Sequence, residues 1–349
     1  MNITELDTPA VVVDLDRLQS NIDALARYLG EHDIACRPHI KTHKIPAIAR
    51  LQADAGATGI ACQKTSEAEV MADAGFNDIF IPYNIIGPAK LERMVTLARH
   101  IVLSVAADSA FTVRAYAGAA QEAGIELPVL VECDTGGGRC GVQSPAQAAE
   151  LAQLIHSSPG LRFGGLMTHP CTEQSDPFMR EVKALLDRDG MTVERVSYGG
   201  TPHMWQAHTF TEVTEFRAGT YVYGDRATVR SGAMSLDQCA LHVIATVVSR
   251  PTDERAILDT GSKALTSDLL GMEGYGQVLE YPEARIYGLS EEHGNVDLSR
   301  CTHRPEIGER VTILPNHCCP VSNLYDCVHG VRDGQIEVVW PVAARGKSQ

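Results

Sequence analysis

What most constrains the fold of this chain is an alternation of two periods. From Asp33 to Tyr223, short apolar segments suited to single strands alternate with stretches in which apolar residues recur at helical spacing. The strand candidates are "IACRPHI" (34–40), "GIACQ" (59–63), "DIFIPY" (78–83), "IVLSVA" (101–106), "LPVLVECD" (127–134), "RFGGLMTH" (162–169), "RVSYGGT" (195–201) and "EFRAGTYVY" (215–223). Helical patterns such as "SEAEVMADAG" (66–75) and "SPAQAAELAQLIHSS" (144–158) lie between them. Ser66 with Glu69 has capping-box spacing, and Gly75 reads as a helix stop. Eight strands in series, most followed by a helix, predict an α/β fold of the (β/α)8 TIM-barrel type rather than an open sheet. The connection "PHMWQAHTF" between the seventh and eighth strands is short for that plan.

Beyond about Ala233 the texture changes. "ALHVIATVVSRP", "RAILDTG", "EARIYGLSEEHG", "ERVTILPNHCCP" and "QIEVVWPVAAR" are strand-like, with turn residues between them, and no helical period persists. The opening "TPAVVVDLDRL" is also strand-like and is expected to join this second, all-β domain. The expected division is a barrel over 16–232 and a β domain made of 1–15 plus 233–349.

Charge narrows the partners. A net charge of −14 with no compensating basic run argues against nucleic acid and anionic membranes. No apolar run reaches the roughly 18 residues of a membrane helix, and no leader pattern is visible, which together suit a soluble cytoplasmic enzyme. The ten cysteines are scattered, only Cys318 and Cys319 being close, so they read as reduced thiols.

Barrel chemistry sits at the C-terminal ends of the strands. In "RPHIKTHK" Lys41 falls just past the first strand, among His39 and His43. A lysine in a partly dry mouth has the chemistry for a Schiff base; the bland alternative is that Lys41 and Lys44 are solvated residues capping the next helix. "YGGTP" and "AGTYVYG" place Gly200, Thr201, Gly219 and Thr220 after strands seven and eight, where barrels often hold phosphate on bare backbone N–H groups. Lysine and phosphate cradle together point to pyridoxal 5'-phosphate. Arg139, after the glycine turn of "ECDTGGGRCGV", is a further cofactor contact or a salt-bridge partner of Asp134. His169 in "THP" is a candidate acid/base or a structural histidine.

In "LPNHCCPVSNLYD", an extended run would send His317 and Cys319 to one face and Cys318 to the other. Imidazole plus thiolate is half of a metal site; the alternative is a core histidine between buried cysteines.

"DTPAVVVDLDRLQSNI", "RPHIKTHK", "ECDTGGGRCGV", "THP", "SYGGTP", "AGTYVYGD" and "PNHCCPVSNLYD" occur in order over nearly the whole chain. As an ordered set they resemble the D-threonine aldolase and D-serine dehydratase family, which are alanine-racemase-like, fold-type III pyridoxal-phosphate enzymes with a metal site. The resemblance implies Lys41 as the Schiff-base lysine and cofactor binding by Arg139, Tyr198, Gly200, Thr201, Gly219, Thr220 and Tyr221. It also implies His317 and Cys319 as ligands of a divalent metal (Zn, Mn or Mg), and a homodimer. "GSKALTSDLLG" and "LSEEHG" look like the aldolase branch, whose reaction is retro-aldol cleavage of D-threonine and related D-β-hydroxy-α-amino acids to glycine and an aldehyde. Histidine-x-cysteine is at home in D-serine dehydratases, so a D-serine or 3-hydroxyaspartate dehydratase stays open. A non-catalytic carrier of the cofactor is the third reading.

Overall fold

The computed structural model describes all of residues 1–349. Contacts divide the chain into two units: Met1–Asp23, Thr42–Ala47 and Thr220–Gly346 form one, and Ala24–Lys41, Ile48–Gly219 and Lys347–Gln349 the other.

The second unit contains eight short parallel strands: Ala35–Cys36, Ile60–Ala61, Asp78–Ile81, Val102–Ala107, Leu127–Glu132, Leu161–Met167, Val196–Gly199 and Glu215–Arg217. All eight expected strands are present, trimmed at their ends. From Ile60–Ala61 onward each pairs with the next in sequence, and the last pairs with the first. The remaining seam between Ala35–Cys36 and Ile60–Ala61 is joined by a parallel bridge from His39 to Ala61. That bridge closes the ring expected from the alternation.

Local chemistry sets the helices. Ser109 and Ser144 cap Ala110–Ala123 and Pro145–Ser157 by accepting from the N–H of Thr112 and Gln147. Gly124, at φ +66°, ends the former in the left-handed conformation that suits glycine. The expected Ser66–Glu69 capping box is not formed. The helix Thr65–Asp73 starts earlier, and the Glu67 carboxylate accepts from the Gln63 and Lys64 N–H groups instead. The short connection after strand seven becomes the 3-10 helix Thr201–Thr209, which covers the sheet there with fewer residues.

Inside the ring, Phe80, Ala106, Leu130 and Met167 from four successive strands form one apolar layer. The rest is polar. The Glu215 carboxylate accepts from Arg37 (2.6 Å), Arg195 (2.8 Å) and Ser197 (2.5 Å), and the Arg217 guanidinium donates to Ser197 and to Thr168 O.

The first unit is built on a closed six-stranded barrel. Its strands follow the order Leu241–Thr252, Arg255–Leu258, Gly294–Asp297, Arg285–Leu289, Gln277–Val278 and Arg310–Leu314, and the last returns to the first. Ala10–Asp14 adds to it antiparallel to Leu241–Thr252 and parallel to Cys327–Arg332, with Gln335–Pro341 outermost. Leu6, Ala10, Val12 and Ile244 make a core cluster at this extension.

The units part at places other than 16 and 232. Arg17 and Asn21 of the first helix donate to Cys239 O and Gln238 O, the N–H groups of Arg226 and Ala227 bond to Pro315 and Asn316, and Ala344 N–H bonds to Lys44 O. These bonds draw 16–23, 42–47 and 220–232 into the β unit. No helix is long and apolar enough to cross a membrane.

Candidate active site

At the C-terminal ends of the barrel strands, sequence and strand alternation gather basic and nitrogenous groups. The first strand runs into the 3-10 turn Ile40–Thr42, which carries half-buried Lys41. His39 Nδ1 accepts from the Lys41 N–H (3.3 Å), so its other nitrogen, 3.0 Å from Gln63 Oε1, bears the proton. Burial, with Lys41 and Arg217 nearby, holds His39 well below the ordinary histidine value, in keeping with that neutral tautomer.

His169 follows the sixth strand. Burial first, then Lys41, Arg217 and Arg139, lower its pKa to about 3. It is therefore a neutral ring at physiological pH. Its buried Nδ1 has no hydrogen-bond partner, nor does the Thr201 hydroxyl.

Those orphaned atoms adjoin a backbone cradle. Gly200, at φ +120°, caps the 3-10 helix that begins at Thr201, and a Cβ on Gly199 would lie 3.1 Å from His169 Cδ2 and 3.3 Å from Arg217 Nη2. A phosphorylated aldehyde fits this surface: Thr201 offers a hydroxyl to an anion, Gly200 a bare backbone, and Lys41 an amine. Gly219 follows the eighth strand two residues after Arg217.

Tyr198 differs from expectation. In the strand Val196–Gly199, Ser197 faces the polar interior, so alternation turns Tyr198 outward. Its hydroxyl donates to Asp176 of the helix Ser175–Arg188 (2.9 Å) and its ring packs edge-on to Phe210. Arg139 does not pair with Asp134. Asp134 Oδ1 accepts from the N–H groups of Gly136, Gly137 and Gly138, while Arg139 lies 3.7 Å from buried Glu132. Burial raises Glu132 to about 6, against the pull of Arg139. Asp108, Glu132 and Cys140 also bring three ligand atoms within 4.8 Å of one another, a candidate acidic and thiol set for a divalent ion.

In the other unit, 315–320 is not extended. His317 is the extended N-cap of the helix Cys318–Leu324, so Cys318 and Cys319 occupy its first turn. Cys318 is wholly buried, its N–H donating to Asp225 Oδ2 (3.0 Å), and Cys319 turns toward His317. The Thr42 and Thr220 hydroxyl oxygens lie 3.3 and 3.9 Å from the Cys319 sulfur. Tyr221, buried in the turn Thr220–Val222, belongs to the same unit. Hydrogen bonds from Cys318, His317 and Thr42 hold the Cys319 thiol well below its usual pKa. Burial would lower His317, but Cys319 and Asp268 outweigh it and raise the imidazole to about 9. His317 Nδ1 lies 2.8 Å from Asp268 Oδ2. A thiolate beside an imidazole backed by a carboxylate is a donor set that fits a divalent metal, which would replace the shared proton.

Sequence reasoning missed Arg217, Glu132 and Asp268. The inward parity of "EFR" could have found Arg217, and the lone carboxylate in "GSKALTSDLLG" Asp268; burial is what singles out Glu132.

Residues 13–227 match the family described as alanine racemase, N-terminal domain, and residues 240–331 the putative serine dehydratase domain. The chain is 34% identical to a D-threonine aldolase from Arthrobacter sp, covering 99% of this chain and 95% of that one. Among solved structures, D-threonine aldolase from Filomicrobium marinum superposes with a TM-score of 0.91 at 32% identity, covering 99% and 97%. The D-threo-3-hydroxyaspartate dehydratase from Delftia sp. HT23 superposes at 0.86 with 30% identity, covering 97% and 98%. That enzyme has also been solved with alanine in place of a histidine and, separately, of a cysteine two positions further on, the latter in a metal-free form.

Proposed function

The chain belongs to the alanine-racemase-like, fold-type III pyridoxal-phosphate family, and from that premise we propose that it is a metal-dependent D-threonine aldolase, converting D-threonine and related D-β-hydroxy-α-amino acids to glycine and an aldehyde. The observation that carries the reading is the Cys319 thiol turned toward His317, whose imidazole is backed by Asp268 at 2.8 Å, in a chain whose barrel also presents Lys41 beside His39. The aldolase relatives, similar over almost their full lengths, support C–C cleavage.

Lys41 would hold the cofactor through Nζ, with Thr201, Gly200 and Gly219 at its phosphate and Arg139 and Arg217 as the cations facing it. Pyridoxal phosphate supplies an electron sink for charge developing at the substrate's α-carbon. His317 and Cys319 would hold the divalent metal, whose chemistry is Lewis acidity toward the β-hydroxyl oxygen. The Cys318, His317 and Thr42 hydrogen bonds favour the charged form of the Cys319 sulfur. The buried glutamate–arginine cluster beneath the cradle fixes Arg217. Neutral His39 orients the Lys41 backbone, and the Lys41 amine would return a proton to the α-carbon once the aldehyde has left.

A second reading has its own support. The Delftia dehydratase combines a histidine and a cysteine at this same two-residue interval with a metal-free form of the cysteine variant. In a dehydratase, Lys41 would take the α-proton and hydroxide would leave from the β-carbon. D-threonine separates the two, given cofactor and divalent metal. Glycine with acetaldehyde supports the aldolase; 2-oxobutanoate with ammonia replaces it by the dehydratase. Neither product pair, with bound cofactor still visible, leaves the carrier.

A further inference from the structure

The strap between Thr266 and Gly276 bends in ways that its residues do not favour. Thr266 and Leu270 adopt φ of +64° and +49°, a region that costs non-glycine residues energy, and Gly271 and Gly274 are left-handed as well. Side chains from elsewhere in the unit hold it there. Asn316 is 1% exposed and fully used. Its Nδ2 donates to Asp268 O (3.1 Å) and Gly274 O (2.8 Å), and its Oδ1 accepts from Arg226 Nη1 (2.6 Å). Arg226 also donates to Glu273 O, and Arg230 Nη2 to Leu270 O (2.7 Å). Asn316 directly precedes His317, so one stretch of backbone carries both the staple of the strap and the imidazole.

The consequence is the placement of one carboxylate. The Asp268 side chain is 44% exposed and would be well solvated if the strap were loose. Instead its Oδ2 lies 2.8 Å from His317 Nδ1. We propose that Asp268 is a positioning residue: accepting the Nδ1 proton of His317, it fixes ring and tautomer so that Nε2 is the metal-binding nitrogen, with Asn316 and Arg226 holding the strap that delivers it. The inference rests on the reading of His317 and Cys319 as ligands. A carboxylate on the far nitrogen makes the imidazole more basic and removes the rotational and tautomeric choice that a free ring must give up on binding.

The test is a cobalt(II) titration of the full chain, followed by the thiolate-to-cobalt charge-transfer band, with thermal melting as a control on folding. In the wild type the band should saturate, and Cys319→Ala should abolish it. Asp268→Asn should keep the band but weaken cobalt binding about 10- to 100-fold, with Asp268→Glu recovering part of the loss. The hyperfine-shifted, slowly exchanging Nδ1 proton of the cobalt form should exchange faster in Asp268→Asn. Asn316→Ser leaves the carboxylate in place, releases the strap and should weaken binding by a smaller factor. It carries the test if Asp268→Asn does not fold. Wild-type affinity in whichever of these two variants folds, with the band intact, overturns the inference and leaves the ligands standing. No band in the wild type rejects the ligands and the inference together.

Discussion

At the scale of single residues, the candidate site depends on which protons its side chains keep. Lys41 should be the one lysine that retains the cofactor: borohydride treatment of the holoprotein should fix the cofactor's mass on the peptide containing residue 41. Lys41→Ala should lose bound-cofactor absorbance and at least about a thousandfold in turnover. Either the mass on another lysine or a coloured Lys41→Ala protein would refute this. Cys319→Asp tests the thiolate differently. Exchanging a soft donor for a hard one should shift the preferred metal from zinc toward manganese or magnesium, read by metal content after dialysis against a mixture. The sequence leaves His169 in "THP" as an acid/base or a structural histidine; the burial that first lowers it to about 3, and the Lys41, Arg217 and Arg139 cations that add to it, depend on other elements.

At the scale of elements, two turns carry the cradle. Gly200 at φ +120° is in a conformation that L side chains rarely adopt. Gly200→Ala should cost about 1–3 kcal/mol in unfolding free energy and weaken pyridoxal-phosphate binding, measured by denaturant titration and by cofactor fluorescence. Unchanged cofactor affinity would remove that turn from the phosphate site. The sequence signalled these glycines because only backbone needs recur as bare "GG" and "GT" pairs at strand ends. It did not signal that Tyr198 turns outward, since parity is set by which neighbour, Ser197 or Tyr198, the interior accepts. The helix Cys318–Leu324 teaches the same lesson. Both an extended run and a helix N-cap bring His317 and Cys319 together, and only tertiary packing selected the latter.

At the scale of the whole molecule, buried charge links stability to pH. His242 in the β unit is buried and its Nε2 lacks a partner. Burial first, then Arg17, lowers it to about 4 against the opposing pull of Asp14. The unfolded chain takes up this proton near pH 6.5 whereas the folded one resists it, so unfolding free energy falls as pH drops from about 6.5 to 4. The linked loss is on the order of 3 kcal/mol, and His242→Gln should flatten that part of a urea-midpoint profile; an unchanged slope would exclude the group. Glu215 has the opposite origin. Burial would raise it, but Arg37 and Arg195 hold it at about 2. Its contribution is present above about pH 4.5 and is lost only as pH falls toward 2. Glu215→Gln, which leaves half-buried Arg195 without its carboxylate and buried Arg37 with Asp78 alone, should cost about 3–5 kcal/mol, checked by denaturant melting at pH 7.

The order of strands and helices, the change to β structure near residue 233 and the motif glycines at strand ends were written in the sequence, because period and backbone freedom are local properties of a chain. The partners were not. Arg217 beside His169, Asp268 on His317 and Asn316 on the strap join residues up to 49 positions apart. Such pairings depend on which side chains the closed ring and the closed barrel exclude from water, and burial of that kind exists only once the chain has folded.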